Sequence, residues 1–185
     1  MPVTILGIES SCDETSAAII QDNKILSNVI ANQEVHEKYG GVVPELASRA
    51  HQKNIIPVVK LALSNANIEK NQLDAIAYTR GPGLLGSLLV GASFAKSFSM
   101  SLGIPLIEVN HMQAHLLCHF IEDNFKEKTD FPYLGINISG GHTQIVLFHN
   151  YFKLDLIVET LDDAIDTVNR SDIDTLYVPN YESRR

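Results

Sequence analysis

The sequence predicts a layered α/β fold, and three observations carry that prediction. Short β-type runs open the chain, helical periodicity alternates with buried strands through its middle, and β-type runs return after residue 131. With 185 residues, 45% of them hydrophobic and 19% charged, the chain can bury a substantial core and does not read as disordered.

The elements follow in order. "VTILGIES" (Val3–Ser10), "SAAII" (Ser16–Ile20) and "KILSNVIA" (Lys24–Ala31) predict a three-strand meander, with "SSCDET" (Ser10–Thr15) at its first tip and Gln21-Asp22-Asn23 at its second. Apolar residues at helical spacing run from Pro44 to Ala66, where Pro57 is expected to kink or divide the helix. "LDAIAYT" (Leu73–Thr79) reads as a buried strand. A glycine-rich turn then feeds a long apolar helix within Arg80–Gly103, and "IPLIEV" (Ile104–Val109) reads as another buried strand. That strand leads into a histidine helix, "VNHMQAHLLCH". After a charged connector at Glu122–Pro132, "YLGINIS" and "TQIVLF" flank Gly140-Gly141 as a hairpin-like pair. The boundaries expected are a first lobe over 1–130, the start of a second over 131–165, and a polar tail over 166–185 with no clear period.

Charge and cysteine content narrow the function. A formal net charge of −8, without a dense basic run, argues against a chain that grips nucleic acid unaided. Two cysteines suit a reducing cytosol, and neither a signal peptide nor a run long enough to span a membrane is read here. The expected location is the cytoplasm, away from membranes.

Four motifs carry possible chemistry. His111 and His115 lie four apart, so one helical face can turn both imidazoles toward one ion; hydrogen-bonded histidines are the alternative. His119 continues the spacing, but three ligands along a straight helix span about 12 Å, too far for one ion. Met112 stands where a zinc protease of the HExxH type needs its glutamate, which excludes that assignment. "SGGHT" (Ser139–Thr143) offers backbone N–H groups and a hydroxyl to an anion, or is an ordinary hairpin turn. "SSCDET" adds hydroxyls with Asp13 and Glu14, or is a polar turn. "GPGLLG" lacks the Lys-Ser/Thr of a P-loop, and close helix packing is the better reading of it and of Gly86 and Gly91.

Two strand–loop–strand units separated by an αβα stretch match the plan of the actin/Hsp70/sugar-kinase folds, in which two hairpin loops hold phosphates across a cleft. "GIESSCDETSAAI", "YGGVVPELASRAH", "GPGLLGSLLVGASFAKS", "NHMQAHL" and "ISGGHTQIVL" occur here in the order seen in the tRNA N6-adenosine threonylcarbamoyltransferase (TsaD) family. The resemblance runs from Ile5 to about Ala164. It implies transfer of a threonylcarbamoyl group from threonylcarbamoyl-adenylate to the exocyclic amine of the adenosine 3′ to the anticodon, in tRNAs reading codons that begin with A. It also implies that His111 and His115 bind a divalent metal ion, iron(II) preferred and zinc compatible, and that Asn137, Ile138, Ser139, Gly140 and Gly141 contact the adenylate. The partners implied are a paralogous non-catalytic subunit (TsaB-like) and a small ATPase (TsaE-like).

Beyond "ETLDDA" (Glu159–Ala164) the chain departs from the family pattern. "IDTVNRS" (Ile165–Ser171) replaces the expected run, and Arg170 aligns with a substrate-binding aspartate of the family. The chain is also about half the family's usual length, and the half not seen would hold the third metal ligand. It is therefore expected to be inactive or very weak alone. The alternative from another class is a non-catalytic scaffold subunit of the same fold, from which the histidine pair would be expected to be missing. A sugar or acetate kinase is disfavoured because "SSCDET" replaces the Asp-x-Gly-type first loop.

Overall fold

A computed structural model of the chain describes residues 1–33, 36, 39–122, 130–138 and 143–158. Contacts divide the chain into two units: Met1–Ala114 with Ile121–Asn124, and His115–Phe120 with Phe125–Arg185.

The first unit is built on a five-stranded sheet of order β3-β2-β1-β4-β5. Its strands are β1 (Thr4–Glu9), β2 (Thr15–Gln21), β3 (Lys24–Ala31), β4 (Ala75–Gly81) and β5 (Leu106–Asn110). The opening meander forms as expected, with β1–β2 and β2–β3 antiparallel. β4 then returns parallel to β1, and β5 parallel to β4. The crossovers need helices, which α1 (Pro44–Ala66) and α2 (Leu85–Leu102) supply. Strict alternation along β1 buries Thr4, Leu6 and Ile8, and Leu6, Ile8, Ile19 and Ile76 join Ile55, Val58 and Val59 of α1 in one core. Burying each of these branched side chains stabilises by about 1.5–3 kcal/mol.

Pro57 does not divide α1, which is one 23-residue helix. A proline there releases the carbonyl of Lys53, and both residues lie on the exposed side, where water can satisfy that carbonyl. α2 corrects a second expectation. Its 18 residues include a single charge, Lys96, and are long and apolar enough to cross a membrane by length and composition. A core helix passes the same test, and α2 buries Ser87, Gly91, Ala95 and Ser99 within this unit.

The second unit holds a three-stranded antiparallel sheet, β6 (Tyr133–Ile138), β7 (Thr143–Asn150) and β8 (Lys153–Val158). β6 and β7 pair as the hairpin reading expects, up to Ile138 opposite Thr143. β8 was not expected. Its exposed Lys153, Asp155, Leu156 and Ile157 blur the alternation by which strands are recognised. Leu116, Tyr133, Val146 and Phe148 form the core here, and the Tyr133 hydroxyl donates to the Leu116 carbonyl at 3.1 Å.

The histidine helix is shorter than expected. α3 spans His111–Leu117, and Cys118–Phe120 tightens into a 3₁₀ turn, which takes His119 off the α-helical spacing. The tail at 166–185, with Arg170, lies outside the described residues.

Candidate functional site

The carboxyl ends of parallel strands are where open α/β sheets place ligands, and three parallel strands end side by side here. Register sets Ile8 beside Tyr78 and Thr79 beside Val109, so Glu9, Thr79 and the residues after β5 gather at one edge. Asn110 closes β5 and starts α3, its side-chain oxygen accepting the Gln113 N–H at 3.1 Å. His111 is therefore the first residue after the strand.

Glu9 is the hub of this cluster. One carboxylate oxygen accepts the Ser11 backbone N–H; the other accepts the Thr79 hydroxyl at 2.5 Å and lies 3.2 Å from His111 Nδ1. The Ser11 hydroxyl is 3.3 Å from the same ring nitrogen. Partial burial of Glu9 acts to raise its pKa, but the hydrogen bonds from His111, Ser11 and Thr79 outweigh it and hold the group down to about 2. An ionised carboxylate only accepts, so the proton of the His111–Glu9 contact sits on Nδ1.

A second set of bonds fixes the loop between β1 and β2. His51 of α1 is fully buried, with Nε2 donating to the Cys12 carbonyl at 3.0 Å and Nδ1 accepting from the Thr15 hydroxyl at 2.8 Å. From α2, the Ser87 hydroxyl donates to the same Cys12 carbonyl at 3.1 Å, and the Leu84 N–H to the Ser11 carbonyl at 2.7 Å. The Ser10 hydroxyl donates back to the Ser87 carbonyl at 2.9 Å. Ser10 and Thr15 are thus engaged in the loop's own bracing, leaving the polar-loop reading to Ser11, Asp13 and Glu14.

Gly83 and Gly86 of "GPGLLG" serve close packing, the reading the sequence favoured, whereas a Cβ on Gly81 would meet only Leu88 at 3.8 Å. A Cβ on Gly83 would lie 2.5 Å from the Ser11 carbonyl oxygen, one on Gly86 would overlap the Ser48 hydroxyl of α1, and one on Gly91 the Ser10 hydroxyl. Gly86 lets a second helix approach, as expected, whereas Gly91 admits the β1–β2 loop.

α3 carries His111 and His115 four residues apart, His111 partly buried and His115 exposed. As donors for a divalent ion they fit in part. A carboxylate behind one imidazole is the usual support of a metal-binding histidine, but no group of three His, Cys, Asp or Glu able to hold an ion occurs among the described residues. Of the expected substrate loop, Asn137 is buried and Ile138 half exposed at the end of β6, while Ser139, Gly140 and Gly141 lie outside the described residues. Sequence reading missed Glu9 and Thr79. A carboxylate ending an otherwise apolar strand was the available signal, because a buried acid needs partners.

Comparison with known proteins follows from this geometry. The family model described as "TsaD: tRNA N6-adenosine threonylcarbamoyltransferase" matches residues 24–180, past residue 164 where the motif resemblance stops. A protein of that name from Christiangramia forsetii is 66% identical over 163 residues, which are 88% of this chain and 48% of that protein. Another, from Riemerella anatipestifer, is 65% identical over 160 residues, 86% of this chain and 47% of that one. The chain thus spans about half the length of the curated relatives it matches. Among solved structures, YeaZ from Pseudomonas aeruginosa superposes with a TM-score of 0.56 at 17% identity, covering 85% of this chain and 66% of that one. That likeness bears on the fold alone and agrees with the actin/Hsp70/sugar-kinase-like α/β class.

Proposed function

The chain belongs to the tRNA N6-adenosine threonylcarbamoyltransferase (TsaD) family, and from that premise we propose that it carries the first half of an acyl-transfer site. The substrates are threonylcarbamoyl-adenylate and the adenosine 3′ to the anticodon in tRNAs reading codons that begin with A. The observation that carries the reading is the Glu9–Thr79–His111 cluster at the carboxyl ends of three parallel strands.

In this reading the exocyclic amine attacks the threonylcarbamoyl carbonyl, and AMP leaves from the mixed anhydride. Asn137, Ile138, Ser139, Gly140 and Gly141 hold the adenylate, with backbone N–H groups from the glycine pair suited to its charge. His111 and His115 would hold a divalent ion, iron(II) or zinc, which would supply Lewis acidity to the reaction. Glu9 keeps His111 in place, and the braced Ser10–Thr15 loop keeps Glu9 in place. A net charge of −8 fits a chain that shares its hold on tRNA with a TsaB-like subunit and a TsaE-like ATPase. The lobes read as 1–130 and 131–165, and a chain that spans about half the length of its relatives is expected to be inactive or very weak by itself.

The test is threonylcarbamoylation of tRNA by the purified chain, alone and with the two partners. The expected result is little or no modified adenosine from the chain alone. Robust turnover by it would contradict the half-site reading.

A further inference from the structure

We propose that Glu9 is the positioning residue of His111, fixing its imidazole as the Nδ1–H tautomer and turning Nε2 toward a divalent cation. This rests on the metal reading given above, and the geometry adds which nitrogen binds and what selects it.

The neutral imidazole has one N–H and one acceptor nitrogen, and only the acceptor can take a cation. Nδ1 of His111 lies 3.2 Å from a Glu9 oxygen, a group with nothing to donate when ionised. The ring must therefore place its proton there, and Nε2 becomes the basic nitrogen. Ser11 Oγ, 3.3 Å from the same nitrogen, can accept a share of that proton, and its hydroxyl can turn to do so.

Glu9 is itself held from two sides. Thr79 donates its hydroxyl at 2.5 Å to the oxygen that faces His111, and the Ser11 backbone N–H takes the other oxygen. Both supports are themselves buried. Thr79 is a buried residue of β4, and Ser11 is buried in a loop whose carbonyl is fixed by the Leu84 N–H. With both oxygens engaged by neighbours in the chain, Glu9 serves as a hydrogen-bonded support behind the ligand. Removal of such a carboxylate behind a metal-binding histidine typically weakens metal affinity about 10–100-fold.

The experiment reads the tautomer directly. Long-range ¹H–¹⁵N correlation spectra of the metal-free chain, with His111→Ala for assignment, separate the N–H from the bare nitrogen of the ring. The wild-type chain is expected to show His111 as the Nδ1–H form. Glu9→Gln, whose amide can either donate or accept, is expected to shift the population toward Nε2–H, and Thr79→Val to shift it less. His111 found mainly as Nε2–H in the wild type would overturn the proposal. So would an unchanged tautomer in both variants while their amide spectra stay dispersed.

A parallel Zn(II) competition titration is expected to show Glu9→Gln binding about 10–100-fold more weakly than the wild type. Equal Zn(II) affinity in the two would overturn the orienting role toward the cation. A wild-type chain that shows the Nδ1–H form but binds no Zn(II) would contradict the metal reading beneath, separately from the placement of the proton by Glu9.

Discussion

The two helices of the first unit pack on one core by opposite means. α1 buries Ala47, His51, Ile55, Val58, Val59 and Ala62, a stripe at helical spacing whose centre is branched aliphatic. α2 buries Ser87, Gly91, Ala95 and Ser99, one small residue every four positions. The buried positions of α1 bring branched bulk to the core; α2 lends it the partly buried Val90, Phe94, Phe98 and Leu102 and keeps its buried positions small where it meets Ser48 of α1 and the β1–β2 loop. The seam on α2 reaches Ser10, Ser11 and Cys12, the residues that follow Glu9. The difference lies in the buried positions: bulky on α1, small on α2 where it meets the loop, with His51 the residue through which α1 also grips that loop.

The sharpest way to break that comparison is to remove that residue. His51→Ala takes away a fully buried ring and leaves the Thr15 hydroxyl and one of the bonds to the Cys12 carbonyl unmade. Lost bonds and the cavity together predict a loss of about 3–5 kcal/mol in urea unfolding. A loss below about 1 kcal/mol would mean that α2 alone holds the loop.

Smallness on the α2 side is tested next. Gly83→Ala places a Cβ against the Ser11 backbone, which side-chain motion cannot relieve, and about 1–3 kcal/mol of destabilisation is expected. Leu89→Gln, on the exposed face of α2, is expected to stay within about 0.5 kcal/mol in the same assay. Equal effects would erase the distinction between the close-packed turn that leads into α2 and the helix's exposed face.

A smaller, pH-dependent effect follows from Glu9. Its pKa, held down to about 2 in the fold against an ordinary glutamate value of 4.5, means that the ionised form stabilises the native state. That contribution is fully present above about pH 4.5 and is lost as the pH falls toward 2. The metal-free Glu9→Gln chain should therefore show a shallower loss of stability over that window than the wild type. Parallel acid limbs would contradict the bonding seen around Glu9.

Much of this was legible in the sequence, for physical reasons that differ by element. The β1–β3 meander, β4, α2 and the place of β5 follow from apolar periodicity and from turns marked by glycine, asparagine and aspartate; β5 was expected to be buried, yet as an edge strand it leaves Ile107, Glu108 and Asn110 exposed. Pro57 did not divide α1, because its cost depends on which side of the helix faces water, which local spacing does not state. β8 was hidden by weak alternation on a largely exposed strand. His111 was found by its spacing to His115, while Glu9 and Thr79 escaped because they meet only through parallel strand register, about 70 residues apart in sequence. The braced loop was half legible: "SSCDET" marked it as polar, but only packing shows that Ser10 and Thr15 turn inward.

The most direct measurement of the central claim, that α3 presents a metal-binding histidine pair, is metal content. Iron and zinc retained after anaerobic loading and gel filtration would be compared for the wild-type chain, His111→Ala and His115→Ala. The account predicts metal in the wild type and a clear loss in both variants, the exposed His115 serving as the site least able to disturb the fold. Equal metal in all three chains would contradict it.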